Sequence, residues 1–169
     1  MNIIETKRLI ICRLSEDDSE FILELLNSPG WLRFIGNKNV RTVSDAANYI
    51  INGPIKSYEV NGFGLCLVKL KNETIPIGIC GLIKRDSLED IDIGFALLPE
   101  YEGNGYAFEA AAAVLNHAKT DLGIKKIVAV TDKDNDNSIR LLEKAGLVFE
   151  KNILLKGSEK ELMLFTVLL

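Results

Sequence analysis

The stretch "LLPEYEGNGYAFEAAAAVLNHA", Leu97 to Ala118, sets two glycines two positions apart immediately before an alanine-rich run of helical composition. A helix that starts directly after a tight turn leaves its first four N–H groups without intrahelical acceptors. Gly103 and Gly105 can adopt positive φ and expose successive amides with no Cβ in the way, which suits close approach by a phosphate. The helix dipole adds roughly half a positive charge at the same end. Each amide bonded to a charged phosphate is worth on the order of 1.5–3 kcal/mol, so three or four could hold a pyrophosphate without lysine or arginine. The competing reading is a turn that serves chain geometry alone, with water capping the helix. The GxxxxGK[ST] pattern of a P-loop is absent. So is the third glycine of a dinucleotide-binding fingerprint, and the strands before the turn read as antiparallel.

The elements around that turn follow from apolar periodicity. Arg8 to Leu14 reads as a strand, and "SEDD" (Ser15 to Asp18) as a helix N-cap with an acidic residue three later. The helix that follows pairs Phe21 with Leu25 and Ile22 with Leu26, and ends near Ser28-Pro29-Gly30. Short helices are expected over Trp31 to Ile35 and from Ser44 to Ile51, the second capped by Ser44. From Gly62 onward the period becomes that of strands: "FGLCLVKL", then "IPIGICGLIKR", then "DIDIGFALL" (Asp90 to Leu98). This last strand sends Ile91, Ile93, Phe95 and Leu97 to one face and Asp92, Gly94, Ala96 and Leu98 to the other. A helix to about Leu122 is stopped by Gly123, and a strand covers Lys125 to Thr131. A helix from about Asn137 to Ala145 is closed by Gly146, and two strands cover Leu147 to Leu155 and Glu161 to Leu168. The expected fold is α+β with a mixed sheet, in one domain over residues 1–169.

Composition narrows the class. The chain is 47% hydrophobic and 26% charged, with no apolar run near the roughly 20 residues of a membrane span, so a soluble protein with no membrane partner is expected. Charges interrupt the apolar residues of "MNIIETKRLIICRL", which argues against an export signal and for the cytoplasm. Cys12, Cys66 and Cys80 are odd in number, far apart and within strand-like runs, and read as buried free thiols. One histidine and no CxxC suggest no metal site. A net charge of −4 without a basic cluster argues against nucleic acid as a partner. His117 falls inside the long helix, away from the turn, and reads as a surface or edge residue.

"DIGFALLPEYEGNGYAFEA", followed by "DNDNSIRLLEKAGL", resembles the GNAT superfamily of acetyl-CoA-dependent N-acetyltransferases. With "ETKRLIICRL" (Glu5 to Leu14), it is similar to the branch containing the ribosomal-protein-alanine N-acetyltransferases, from about residue 5 to the carboxyl terminus. The resemblance implies a mostly antiparallel sheet of about seven strands flanked by helices, with a splayed strand pair around the cosubstrate. It places the coenzyme A pyrophosphate on Glu102, Gly103, Asn104, Gly105, Tyr106 and Ala107, and the pantetheine arm along Phe95, Ala96 and Leu97. Glu102 departs from the family pattern, where arginine, glutamine or an aromatic is usual. A carboxylate there repels phosphate if it points inward, so Glu102 is expected to face solvent.

The same resemblance assigns Asn135 to the cosubstrate arm and Ser138 to the neighbourhood of the leaving sulfur, with helix capping by Asn135 or Asn137 as the structural alternative. The family's tyrosine, seven residues after that asparagine, is Leu142 here, which leaves Ser138 as the candidate acid. Asp92 is the candidate base, against the alternative of an exposed strand carboxylate. Trp31 and Tyr49, with Phe34 and Tyr58, come from the segment that forms one wall of the acceptor site in the family, against the alternative that at least half of them belong to the core. The implied reaction is direct acetyl transfer from acetyl-CoA to a primary amine in a ternary complex, the acceptor being a protein N-terminus or a small amine and the protein a monomer or homodimer. Alternatives are a non-catalytic acyl-CoA-binding module and a structural protein with no cosubstrate.

Overall fold

In a computed structural model, residues 4–169 are described; residues 1–3, where the argument against an export signal begins, lie outside the described residues. Eight strands, β1 (Ile4–Glu5), β2 (Leu9–Arg13), β3 (Leu65–Leu70), β4 (Pro76–Ile83), β5 (Ile91–Leu97), β6 (Lys126–Thr131), β7 (Val148–Leu154) and β8 (Glu161–Leu168), form one sheet. Their order is β1-β2-β3-β4-β5-β6-β8-β7. Every neighbouring pair is antiparallel except β5 and β6. The expected count of about seven omitted β1, whose two residues are too few to show alternation.

The helices are α1 (Ser19–Leu26), α2 (Pro29–Phe34), α3 (Val43–Ile50), α4 (Lys56–Asn61), α5 (Tyr106–Thr120) and α6 (Asp136–Lys144). Alternation along the strands divides the apolar residues between two cores. On one face α5 lays Ala110, Ala111, Val114 and Ala118 against Ile93, Ile127, Ala129 and Phe165. Its alanines let the helix come close to the sheet. On the other face α1 and α3 place Ile22, Leu25, Ala46 and Ile50 with Leu67, Ile79 and Leu98. Leu67, Ile22 and Ile50 are fully buried, and each such side chain stabilises the fold by about 1.5–3 kcal/mol. Both faces of the sheet are therefore covered, and on β5 the adjacent residues Asp92 and Ile93 are buried on opposite faces.

Several boundaries differ from the sequence reading, α2 for example spanning Pro29–Phe34 instead of Trp31 to Ile35, and three have a clear physical cause or consequence. Helix α3 is capped by Thr42, not Ser44: the Thr42 hydroxyl accepts from the Asp45 amide at 3.1 Å, and the Asp45 carboxylate accepts from the Thr42 amide at 3.0 Å. This reciprocal pair satisfies two orphan donors at once, which Ser44, the second residue inside the helix, cannot do. Beyond α3 the chain does not stop at Ile51. It passes through a π-helical turn, Ile51–Ile55, and continues as α4. Pro54 lies inside that turn; the wider coil accommodates a residue that has no N–H to give and whose ring would collide with a regular α-turn. Helix α6 begins at Asp136, one residue before the expected Asn137.

Candidate active site

The glycine turn joins β5, through a single 3-10 turn over Pro99–Tyr101, to α5. Gly103 and Gly105 have φ of +76° and +80°, a region in which a side chain is strained. Gly105 is the N-cap of α5, and the first helical bond runs from the Glu109 amide to the Gly105 carbonyl at 3.1 Å. The amides of Gly105, Tyr106, Ala107 and Phe108 thus have no helical acceptor, and none donates to another acceptor among the described residues. Such a turn is chemically suited to an anion: unpartnered donors, the positive end of a 15-residue helix and no Cβ over the two glycines.

A cleft of about 1110 Å³ opens from this turn into the sheet. Strands β5 and β6 pair only at Ile91 with Ile127 and at Asp92 with Val128, then part. Among the described residues that edge of β5 has no strand partner from Ile93 to Leu97, and Phe95, Ala96 and Leu97 line the gap with Ala129 and Val130 of β6 opposite. Gly103, Gly105, Tyr106 and Ala107 line its mouth, but Asn104 does not. The Asn104 side chain instead donates to the Glu102 carbonyl at 3.1 Å, and its own carbonyl accepts from Arg8 at 3.0 Å on the far side of the turn. Glu102 is exposed at the rim, with Oε1 toward Gly30 of α2. Partial burial raises its pKa.

Asp92 sits where the strands part. It lines the cleft with only 1% of its surface exposed, so it is not an exposed strand carboxylate. Its Oδ2 accepts from Arg85 Nε at 2.6 Å, while Oδ1 has no hydrogen-bond partner among the described residues. Burial pushes its pKa up to about 6, against the lowering pull of Arg85 and of the nearby Val130 amide, which falls short of hydrogen-bond geometry. A buried carboxylate with one free oxygen and a pKa near neutrality is equipped to take up a proton.

On the β6 side, α6 brings three of the expected positions together. Asn135 caps the helix, its Oδ1 accepting from the Ser138 amide at 3.2 Å, and both residues line the cleft. Leu142, one turn further along, is 1% exposed and also lines the cleft, so an apolar side chain occupies the position at which the resemblance leads one to expect a hydroxyl. Before α6, Asp132 is buried and accepts from Lys160 Nζ and from the Asp134 amide at 2.9 Å. Burial raises its pKa, but these donors lower it further, and the ion pair ties the β7–β8 turn to the end of β6.

The helices α2 to α4 form the opposite wall. Trp31 and Tyr49 line the cleft, as does Phe34. Trp31 is 5% exposed, and its indole N–H has no partner among the described residues. Burial raises the Tyr49 pKa, with Arg85 acting against it. Tyr58 is not part of this wall: it is buried, donates to the Leu65 carbonyl, and accepts from the Leu14 amide at 3.1 Å. It fastens α4 to β2 and β3. His117 lies in the last turns of α5 with Nδ1 2.5 Å from Asp121. The three cysteines are free, but only Cys80 is buried, Cys12 and Cys66 being half-buried; partial or full burial raises each thiol, Cys66 to about 11. Sequence reading missed Arg8, Arg85 and Asp132, whose partners are distant in the chain or across a hairpin.

A mostly antiparallel sheet with one splayed parallel pair, a glycine turn at its mouth and a helix launched from that turn define the acetyltransferase class of fold. The family model described as "Acetyltransferase (GNAT) domain" matches residues 8–148, and the chain belongs to that family. It is 30% identical over 156 residues to the N-acetyltransferase YoaA of Bacillus subtilis (strain 168), across 91% of this chain and 86% of that one. The N-acetyltransferase YnaD of the same organism is 28% identical over 159 residues, across 92% and 90%. Among solved structures, the acetyltransferase of Agrobacterium tumefaciens str. C58 superposes with a TM-score of 0.84 at 19% identity, covering 99% of this chain and 94% of that one. RimL, the ribosomal L7/L12 alpha-N-protein acetyltransferase in complex with coenzyme A, also has a TM-score of 0.84, at 16% identity, covering 99% and 98%. The protein is an acetyltransferase.

Proposed function

We propose that the protein moves an acetyl group from acetyl-CoA to a primary amine by direct attack in a ternary complex, as one cytoplasmic domain over residues 1–169. One observation carries this reading. The unpartnered amides of the Gly103–Phe108 turn, the unpaired edge of β5 and the buried carboxylate of Asp92 all open on the same cleft.

The donor chemistry fits that set. When bound, acetyl-CoA supplies an acyl group already activated as a thioester. The turn amides hold the pyrophosphate, and Gly103 and Gly105 supply the positive φ that aims them. Phe95, Ala96 and Leu97 align the arm along the unpaired edge, where backbone donors are aimed at an oxygen on which charge develops. Asn135, besides capping α6, faces the same channel, and Ser138 carries a proton toward the departing sulfur. Asp92 Oδ1 takes the proton from the acceptor ammonium, directly or through one water, and Arg85 holds the carboxylate in place. Trp31 and Tyr49 position the acceptor. Positioning supplies most of the rate, because the two reactants need only be held in line.

For the acceptor, the shared fold with RimL supports a protein α-amine, and a small amine is the competing substrate. The test incubates the protein with isotopically labelled acetyl-CoA and two peptides of one sequence, one with a free and one with a blocked amino terminus, beside a set of small amines. Label on the free peptide alone supports the α-amine reading. Label confined to the small amines overturns it.

A further inference from the structure

The opening "ETKRL" reaches across the molecule to the back of the glycine turn. Arg8 Nε donates to Glu109 Oε2 at 2.6 Å, and the Arg8 amide to Glu109 Oε1 at 2.8 Å. Thr6 donates its hydroxyl to the same Oε1 at 2.5 Å. The other arm of the guanidinium, Nη1, donates to the Asn104 carbonyl at 3.0 Å, and Cζ lies 4.4 Å from the centre of the Tyr106 ring. A Cβ built on Gly105 comes within 3.3 Å of Arg8 Nη2. One side chain therefore contacts Asn104 and Tyr106 and lies beside Gly105 between them, without itself lining the cleft.

Charge adds a second reason for the arrangement. Glu109 stands in the first turn of α5, one turn from the amides that receive the anion. Partial burial raises its pKa, but the hydrogen bonds from Thr6 and Arg8 outweigh it and keep the carboxyl ionised below its ordinary range. Left alone, that negative charge would oppose a phosphate arriving at the helix end. Arg8 neutralises it while leaving the cleft side of the turn free.

We propose that Arg8, braced by Glu109 and Thr6, is a positioning residue for the donor: it locks Asn104 to Tyr106 in the conformation that aims the turn's amides at the pyrophosphate. The inference rests on the reading of this turn as the coenzyme A site. It predicts an effect confined to donors that carry a pyrophosphate. Acetyl-CoA and S-acetylpantetheine, which has the thioester arm but no pyrophosphate, separate that effect from a general loss of structure.

The test measures turnover of wild type, Arg8→Ala and Arg8→Lys with both donors, alongside the melting temperature without ligand. Arg8→Ala is expected to raise KM for acetyl-CoA about ten- to a hundredfold, the scale of one charge-assisted hydrogen bond, with kcat at saturation and KM for S-acetylpantetheine held within about twofold. Arg8→Lys keeps the charge but loses the fork, and falls between. Equal loss with both donors, or no loss with either, overturns the inference. If Arg8→Ala does not fold, the comparison is read on Arg8→Lys. A wild type that uses S-acetylpantetheine as well as acetyl-CoA removes the underlying reading of the turn, and the role of Arg8 falls with it.

Discussion

Arg85 Nε and Asp92 Oδ2 lie 2.6 Å apart at the point where β5 leaves β6; Asp92 faces Ile83 at the end of the β4–β5 ladder, and Arg85, two residues beyond Ile83, reaches back to it. Its charges are unequally sheltered, Asp92 at 1% exposure and Arg85 at 36%. Burial wins over the ion pair and sets the carboxyl near 6. As a base, Asp92 works only when ionised, so kcat/KM rises with pH through about 6 and then levels. Asp92→Asn abolishes that limb and lowers kcat by roughly 10²–10⁴-fold. Arg85→Gln removes the lowering influence, and the limb moves to higher pH. The pH–rate profiles of the three proteins check this.

The same residue makes a prediction about stability. The folded-state pKa lies above the unfolded value of 3.8, so the contribution of Asp92 to stability is fully present below that value and is lost as pH rises through about 6. Melting temperatures of wild type and Asp92→Asn, compared across this window, should show the wild type losing ground relative to the variant as pH increases. A constant difference contradicts the assignment of the raised pKa.

Gly105→Val places a β-branched residue at φ +80° with its Cβ against Arg8 Nη2. The strain is on the order of 1–3 kcal/mol, and the turn must shift to relieve it. Calorimetric titration should show coenzyme A affinity reduced about tenfold or more, the equivalent of that strain. Unchanged affinity would remove the turn from the donor site.

Ser138→Ala deletes a hydroxyl that lines the cleft and has no partner within the protein among the described residues. The Asn135 cap bonds the Ser138 backbone amide, not its hydroxyl, so the helix end survives the change. Turnover is expected to fall about 10²-fold with little change in coenzyme A affinity. Full turnover in this variant means that another group protonates the sulfur.

Thr42→Ala tests the cap that replaced Ser44. Loss of the hydroxyl that accepts from Asp45 should cost about 1 kcal/mol in denaturant unfolding, whereas Ser44→Ala should cost well under half of that. Equal costs would contradict the Thr42 assignment.

What could be read from the residues is tied to local order. β5 was legible because its alternation is uninterrupted, and the two faces of that alternation do enter two different cores. The glycine turn was legible because positive φ demands a residue type that is visible in the sequence. Continuation of α3 into α4 was not, because Gly53 and Pro54 are ordinary breakers, and the π-turn that carries the helix past them, with Pro54 buried, has no local sequence sign. Arg8 and Arg85 gave no local sign at all: the first meets Glu109 across 101 positions, and the second meets Asp92 across the β4–β5 hairpin. Asp92 showed its face but not its burial, since shelter comes from neighbouring elements that alternation does not report.

The most direct measurement is the release of free thiol from acetyl-CoA by the wild-type protein against a panel of amines that includes peptides with free amino termini. The account predicts thiol release that depends on both an amine and the ionised form of Asp92, and that matches acetylated product mole for mole. Binding of coenzyme A with no thiol released by any acceptor would contradict it.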